Sequence, residues 1–166
     1  MPIKSALYTF NSMSTIIEFI KKINHEVKKS CANTRLFPSV MIAQAILESN
    51  AGKSKLAMLH NNYFGIKSTK MWAGNSVHYL TTEYQNGIAI KIKQPFRSYP
   101  SMKDGFADRV KFLQVNKRYT VHGVFTSISP EEQVLAFLKA GYATDPNYAI
   151  KLVALIRKYD LKQFDL

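Results

Sequence analysis

An α+β fold, a helical body carrying one β-hairpin, is predicted by three stretches of this chain. Pro38 to Gly52 is apolar on nearly every side, the pattern of a helix sunk in a core. Ser129-Pro130-Glu131-Glu132 is a helix start, with a capping serine, proline at the first position and two acids in the first turn. Asn86-Gly87 sits between two runs of strand formers, the strongest short signal for a hairpin. With 166 residues, 46% of them hydrophobic, and no internal repeat, the chain reads as one globular domain, 1–166.

In order, residues 1–13 are poorly patterned and read as a loose N-terminal arm. Ile16, Ile20, Ile23 and Val27, with Phe19 beside them, then follow helical spacing behind Ser14, predicting an amphipathic helix over 14–30. Its outer face carries Lys21, Lys22, Lys28 and Lys29, with Glu18 and Glu26 spaced as intrahelical partners, and reads as a solvated face. The buried helix begins at Pro38 and stops before Gly52, the residue expected in the left-handed position past its end. A short turn over 54–59 follows. Strands are predicted over 77–84 and 88–93, a helix over 100–115, another from Ser129 to about Ala140, and a last one over 146–159 led in by Asp145.

Lys and Arg number 23 against 11 acids, a net +12, which favours a polyanionic partner: nucleic acid, an anionic membrane face or an acidic cell wall. Charge alone does not choose among them. The single Cys31 excludes an internal disulfide and reads as a buried thiol. His25, His60, His78 and His122 are dispersed without metal-ligand spacing, and there is no phosphate-cradling glycine loop or nucleophilic serine motif. Neither a metal nor a cofactor is expected. No apolar run approaches the ~20 residues of a membrane span, and the N-terminus lacks a signal-peptide core, so the expectation is a protein made in the cytoplasm and not inserted in membrane.

Most acids have ordinary cap, turn or tail roles; Glu48 and Glu83 do not. Glu48 ends an apolar helix, where burial and the helix's negative end both favour its protonated form, making it a candidate general acid. Gln44, one turn earlier, shares its face and is expected to present an amide to the same cleft. Counting back from a two-residue turn puts Glu83 on the same strand face as Ile88 and Ile90, an unusual position for a carboxylate.

These residues also carry a resemblance. Ala43 to Ser49 followed by Gly52-Lys53-Ser54, then Asn61 to Lys67, Thr81-Thr82-Glu83-Tyr84, Phe96-Arg97-Ser98-Tyr99 and Ala140 to Ala149 are similar, in order, to motifs of glycoside hydrolase family 73. These are the bacterial and phage endo-β-N-acetylglucosaminidases of flagellar rod-assembly proteins and cell-separation autolysins. The resemblance covers 38–159. One departure is Ala51, where the family often has an aromatic residue.

The resemblance implies a lysozyme-like fold with the hairpin facing the Glu48 helix across a glycan groove. It implies cleavage of the β-1,4 bond after N-acetylglucosamine in peptidoglycan, with Glu48 as acid. Glu83 would activate water or stabilise the transition state, or Tyr142 would position a substrate acetamido group that attacks in its place. Asn62, Tyr63, Phe64 and Gly65 would border the sugar, with Tyr148 and Gln44. Tyr63, Phe64 and Tyr142 also suit a core, and Trp72 serves equally as a core anchor or a sugar platform. A muramidase or lytic transglycosylase, and a wall- or nucleic-acid-binding module without turnover, are the alternatives. Peptidoglycan is the expected partner of a monomer, with no nucleic acid. A wall substrate conflicts with a cytoplasmic origin unless a partner, a delivery or immunity protein, takes part.

Overall fold

A computed structural model describes the backbone from Ile3 to Leu166 and the side chains from Met13 onward, that of Tyr84 apart. It contains helices α1 (Ile3–Cys31), α2 (Pro38–Glu48) and α3 (Lys55–His60), strands β1 (Ser76–Gln85) and β2 (Ile88–Arg97), then α4 (Met102–Val115), α5 (Lys117–Val121), α6 (Pro130–Lys139), α7 (Tyr148–Lys158) and a final 3-10 turn, Leu161–Phe164. The α+β expectation holds.

Every residue of α2 from Ser39 to Ile46 is buried. The helix is wrapped by α1, α6, α7 and the C-terminal turn, with Ile23 and Val27 of α1 and Leu152 and Ile156 of α7 in the same core. Pro38 fits the first turn, where the missing N–H has no intrahelical partner anyway. Phe37 supplies no side-chain cap. The cap arrives from the other end of the chain: Asp165 accepts from the Ser39 amide and hydroxyl, both at 2.7 Å. A carboxylate there also opposes the positive end of the helix.

Several boundaries differ from expectation. The segment read as a loose arm is helical from Ile3, because nothing between there and Met13 breaks a helix: it contains neither glycine nor proline. Residues 1–2 lie outside the described part. Ser14 is therefore interior, donating to Glu18 at 3.4 Å. The lysines of α1 form no ion pair with Glu18 or Glu26 among the described residues, and Glu26 instead meets His25. Helix α2 stops at Glu48, earlier than Gly52 suggested. Asn50, Ala51 and Gly52 all have positive φ, and a Cβ on Gly52 would stand 2.6 Å from the Phe19 ring, so this glycine is required by both backbone and packing.

The hairpin turns on Asn86-Gly87, both left-handed, and its register runs from Gln85↔Ile88 to Ser76↔Arg97. Its root is tied to the body. Arg97 N–H donates to the Ile66 carbonyl at 2.9 Å, Tyr99 N–H to that of His60 at 2.9 Å, and the His60 ring meets Ser98 Oγ and Tyr79 Oη at 3.0 and 3.1 Å. Phe96 and Tyr99 are buried there, while Ile88 near the tip is 67% exposed. The strand face carrying Glu83 and Ile88 is buried only at its root, where Phe96 packs; toward the tip Glu83, Ile90 and Ile92 are half-buried and Ile88 is exposed, so the Glu83 carboxylate reaches water from a partly apolar face.

Candidate active site

Glu48 is the last residue of α2 and opens into a cavity of about 840 Å³ walled by Phe64, Gly65, Arg109, Phe112, Tyr142 and Tyr148, among others. Although Glu48 itself is solvent-accessible, protein crowds its carboxyl group closely enough that desolvation raises its pKa. A hydrogen bond from Tyr148 and the charge of Arg109 oppose that shift.

Three hydrogen bonds run in one direction toward this carboxyl. Arg109 Nη2 donates to Gln44 Oε1 at 3.1 Å, Gln44 Nε2 donates to Tyr148 Oη at 3.3 Å, and Tyr148 Oη donates to Glu48 Oε1 at 3.2 Å. Each donor engages an acceptor on the next group, so the Tyr148 hydroxyl hydrogen has Glu48 as its acceptor. Burial, then the nearby Tyr142 and Glu48, push the Tyr148 pKa up and keep this donor intact. Gln44 itself does not reach the cleft as expected. It is 1% exposed and works from behind, because one turn of a core helix turns its amide into the interior.

Arg109 was not foreseen. It stands 1% exposed on α4, its guanidinium 4.6 Å from the Phe64 ring centre and 4.7 Å from that of Tyr142, and Nε has no hydrogen-bond partner. Ring faces and the Gln44 oxygen compensate the buried charge in part. A signal existed: Phe106, Arg109, Val110 and Leu113 follow the 0, 3, 4, 7 spacing of an apolar stripe, and arginine on such a stripe is out of place.

Tyr142 lines the cavity half-buried, its pKa pushed up to about 12 mainly by burial, and its ring lies 5.5 Å from that of Tyr148. Phe64 and Gly65 border the cavity too. Gly65 has φ +61°, which the turn requires, and no protein atom crowds the place where a Cβ would be. Asn62 and Tyr63 do not line it. Asn62 is buried and orders the loop, donating to the Ile66 and Arg97 carbonyls and accepting from Ile66 N–H at 3.0 Å. Tyr63 is core, stacked on Phe106 at 5.2 Å.

Trp72 borders a different recess, with Tyr99 and Asp104, its ring 4.4 Å from the Arg97 guanidinium and its Nε1 donating to the Asn75 carbonyl. Glu83 is also absent from the cavity lining; it pairs with Lys67 at 3.0 Å, and Lys67 does line it. Ala51, the departure from the family pattern, borders a recess with Phe19 and Tyr63. Cys31 is buried with its thiol pKa pushed up to about 12, mainly by desolvation. Among the described residues no three His, Cys, Asp or Glu side chains group as a metal site, and no helix is long and apolar enough to cross a membrane.

Residues 24–161 match the model of a family described as glucosaminidase, mannosyl-glycoprotein endo-beta-N-acetylglucosaminidase. The chain is 40% identical over 152 residues to a probable N-acetylmuramidase of Lactococcus lactis, covering 89% of this chain and 34% of that protein. It is 37% identical over 150 residues to the peptidoglycan hydrolase FlgJ of Pseudomonas aeruginosa, covering 88% of this chain and 37% of that one. It thus spans little more than a third of these curated relatives. The catalytic domain of the autolysin Auto from Listeria monocytogenes superposes with a TM-score of 0.81 at 35% identity, over 91% of this chain and 88% of that one. Sequence match and shared lysozyme-like fold together make this chain a member of the glucosaminidase family, glycoside hydrolase family 73.

Proposed function

We propose that the chain hydrolyses peptidoglycan glycan strands at the β-1,4 bond after N-acetylglucosamine, with Glu48 as general acid. The observation that carries this reading is the Glu48 carboxyl, open to a tyrosine-walled cavity, its pKa raised by desolvation and one oxygen held by Tyr148. Because Oε1 accepts from Tyr148, the transferable proton sits on Oε2. It passes to the glycosidic oxygen as the C1–O bond breaks; such acids contribute roughly 100- to 10,000-fold.

For the second half of the reaction, the cavity position of Tyr142 supports attack on C1 by the substrate's own acetamido oxygen, the tyrosine hydroxyl holding that group in place. Water then opens the cyclic intermediate at C1 and gives its proton back to the Glu48 carboxylate, with net retention. A role for Glu83 as base or electrostatic stabiliser requires Lys67 to release it. Similar proteins bearing the names N-acetylmuramidase and peptidoglycan hydrolase support the wall as substrate. Action there requires a route of delivery to the wall.

Two measurements test the reading. Glu48→Gln is expected to abolish wall solubilisation while remaining folded; near-normal activity in a folded variant removes Glu48 from the mechanism. Fragments of wall digested by the unmodified protein, reduced with borohydride and weighed by mass spectrometry, should end in reduced N-acetylglucosamine. Reduced N-acetylmuramic acid would indicate a muramidase, and an anhydro end a lytic transglycosylase. A protein that binds wall without releasing fragments would be a binding module.

A further inference from the structure

Four cations border the Glu48 cavity: Lys67, Arg109, Arg118 and Lys151. Two of them are ion-paired within the protein and a third, Arg109, is buried. Glu83 meets Lys67 at 3.0 Å, Asp145 meets Lys151 at 2.6 Å, and Arg109 is enclosed by Gln44 and ring faces. Arg118 has no carboxylate within ion-pair distance among the described residues. Its Nη2 donates to Tyr119 Oη at 2.6 Å, its Nη1 to the Gly141 carbonyl at 3.4 Å, and its guanidinium carbon lies 4.8 Å from the Tyr119 ring centre. These neutral contacts position the fork without cancelling its charge. Gly141 directly precedes Tyr142, so the fork is tied to the segment that carries a wall of the cavity.

We propose that Arg118 is an anion subsite that takes a carboxylate borne by the glycan, an inference that rests on the glycan-hydrolase reading above. A guanidinium has five N–H donors, and the two bonds to the protein leave three for a ligand. The planar fork matches a carboxylate through charge-assisted hydrogen bonds, and a side chain already held in place loses little freedom on binding. A neutral N-acetylglucosamine polymer offers this group hydroxyl and acetamido oxygens but no charge-assisted bond, so Arg118 would favour wall glycan over chitin-like glycan. The carboxylate has two sources: the lactyl group of a peptide-free muramic residue, or the peptide stem where that lactyl group is amidated.

The test measures binding by calorimetry in the Glu48→Gln protein, with and without Arg118→Gln, to three tetrasaccharides: peptide-free wall glycan, peptide-bearing wall glycan, and chitotetraose. The expected result is that Arg118→Gln reduces the preference for a carboxylate-bearing glycan over chitotetraose by about tenfold. The arm that loses its preference identifies the source, lactyl or stem. Arg118→Lys, which keeps charge but not the fork, should retain part of it. Equal weakening toward all three glycans, or an unchanged preference, would overturn the subsite and leave Arg118 as a clamp between α5 and Gly141. Failure of the Glu48→Gln parent to bind any of the three would instead overturn the glycan-hydrolase reading, and the subsite with it.

Discussion

Replacing Tyr148 by phenylalanine removes one oxygen from the line of hydrogen bonds that ends on Glu48, and it acts on both of that oxygen's neighbours. Tyr148 donates to Glu48 Oε1 at 3.2 Å, a bond that favours the carboxylate and so opposes the desolvation that raises the Glu48 pKa. Without it the pKa rises further. Hydrogen bonds to charged groups contribute about 1.5 to 3 kcal/mol, and since Glu48 is open to water the lower end applies. A general acid works only while protonated, so the alkaline limb of the pH profile of kcat/KM should move to higher pH. On the other side, Gln44 Nε2 loses its acceptor in a fully buried position, which costs roughly 1 to 3 kcal/mol of stability, or about 2 to 12 °C in Tm for a domain of this size. Initial rates of wall solubilisation across the pH range, beside thermal melting of the same samples, read both effects. An alkaline limb that stays in place or moves down would refute the claim that Tyr148 donates to Glu48.

Glu83→Gln should leave most activity if the substrate acetamido group attacks, while Tyr142→Phe should be severely impaired; the reverse ordering in wall-lysis rates would move the second role to the hairpin. Because the folded protein disfavours ionised Glu48, native protein binds more protons than unfolded protein between the ordinary glutamate range and the raised pKa, so this group's contribution to stability is lost as pH rises through that window. Glu48→Gln should accordingly melt above the unmodified protein at pH beyond it and show no such gain in acid, as calorimetry would reveal. Asp165→Ala should cost about 0.5 to 2 kcal/mol in denaturant unfolding by uncapping α2; no loss would mean that water replaces the carboxylate. Activity on wall should fall with added salt, since attraction between a +12 chain and an anionic wall is screened beyond ~8 Å at physiological ionic strength, and a salt-independent rate would assign the charge another purpose.

Local chemistry made much of this protein readable from its residues alone. Asn86-Gly87 sets a two-residue turn and with it the whole register of the hairpin, because few residue pairs accept two successive left-handed conformations. Ser129-Pro130 starts α6 as a cap and a proline must, with Ser129 Oγ accepting from Glu132 N–H. The apolar run from Pro38 identified a buried helix with a carboxylate at its end, since every face of such a helix needs an apolar neighbour. The motifs around it were sufficient to recognise the family.

What the residues alone did not determine depends on partners far along the chain. Asp165 caps a helix 126 positions away, Arg109 meets Gln44 across 65, and Tyr148 reaches Glu48 across 100, and no periodicity records such pairings. The motif Asn62-Tyr63-Phe64-Gly65 shows the same limit within four residues: the first two side chains turn inward to hold loop and core, while Phe64 and the Gly65 backbone border the cavity. Glu83 is the clearest instance. Register alone put it beside Ile90, but whether that face lies on a core, in a groove or in water is set by how the hairpin root is tied to α3 and the 62–66 loop. Sequence determines local conformation through sterics and capping; the company a side chain keeps is decided only when distant segments compete to bury the same apolar surface.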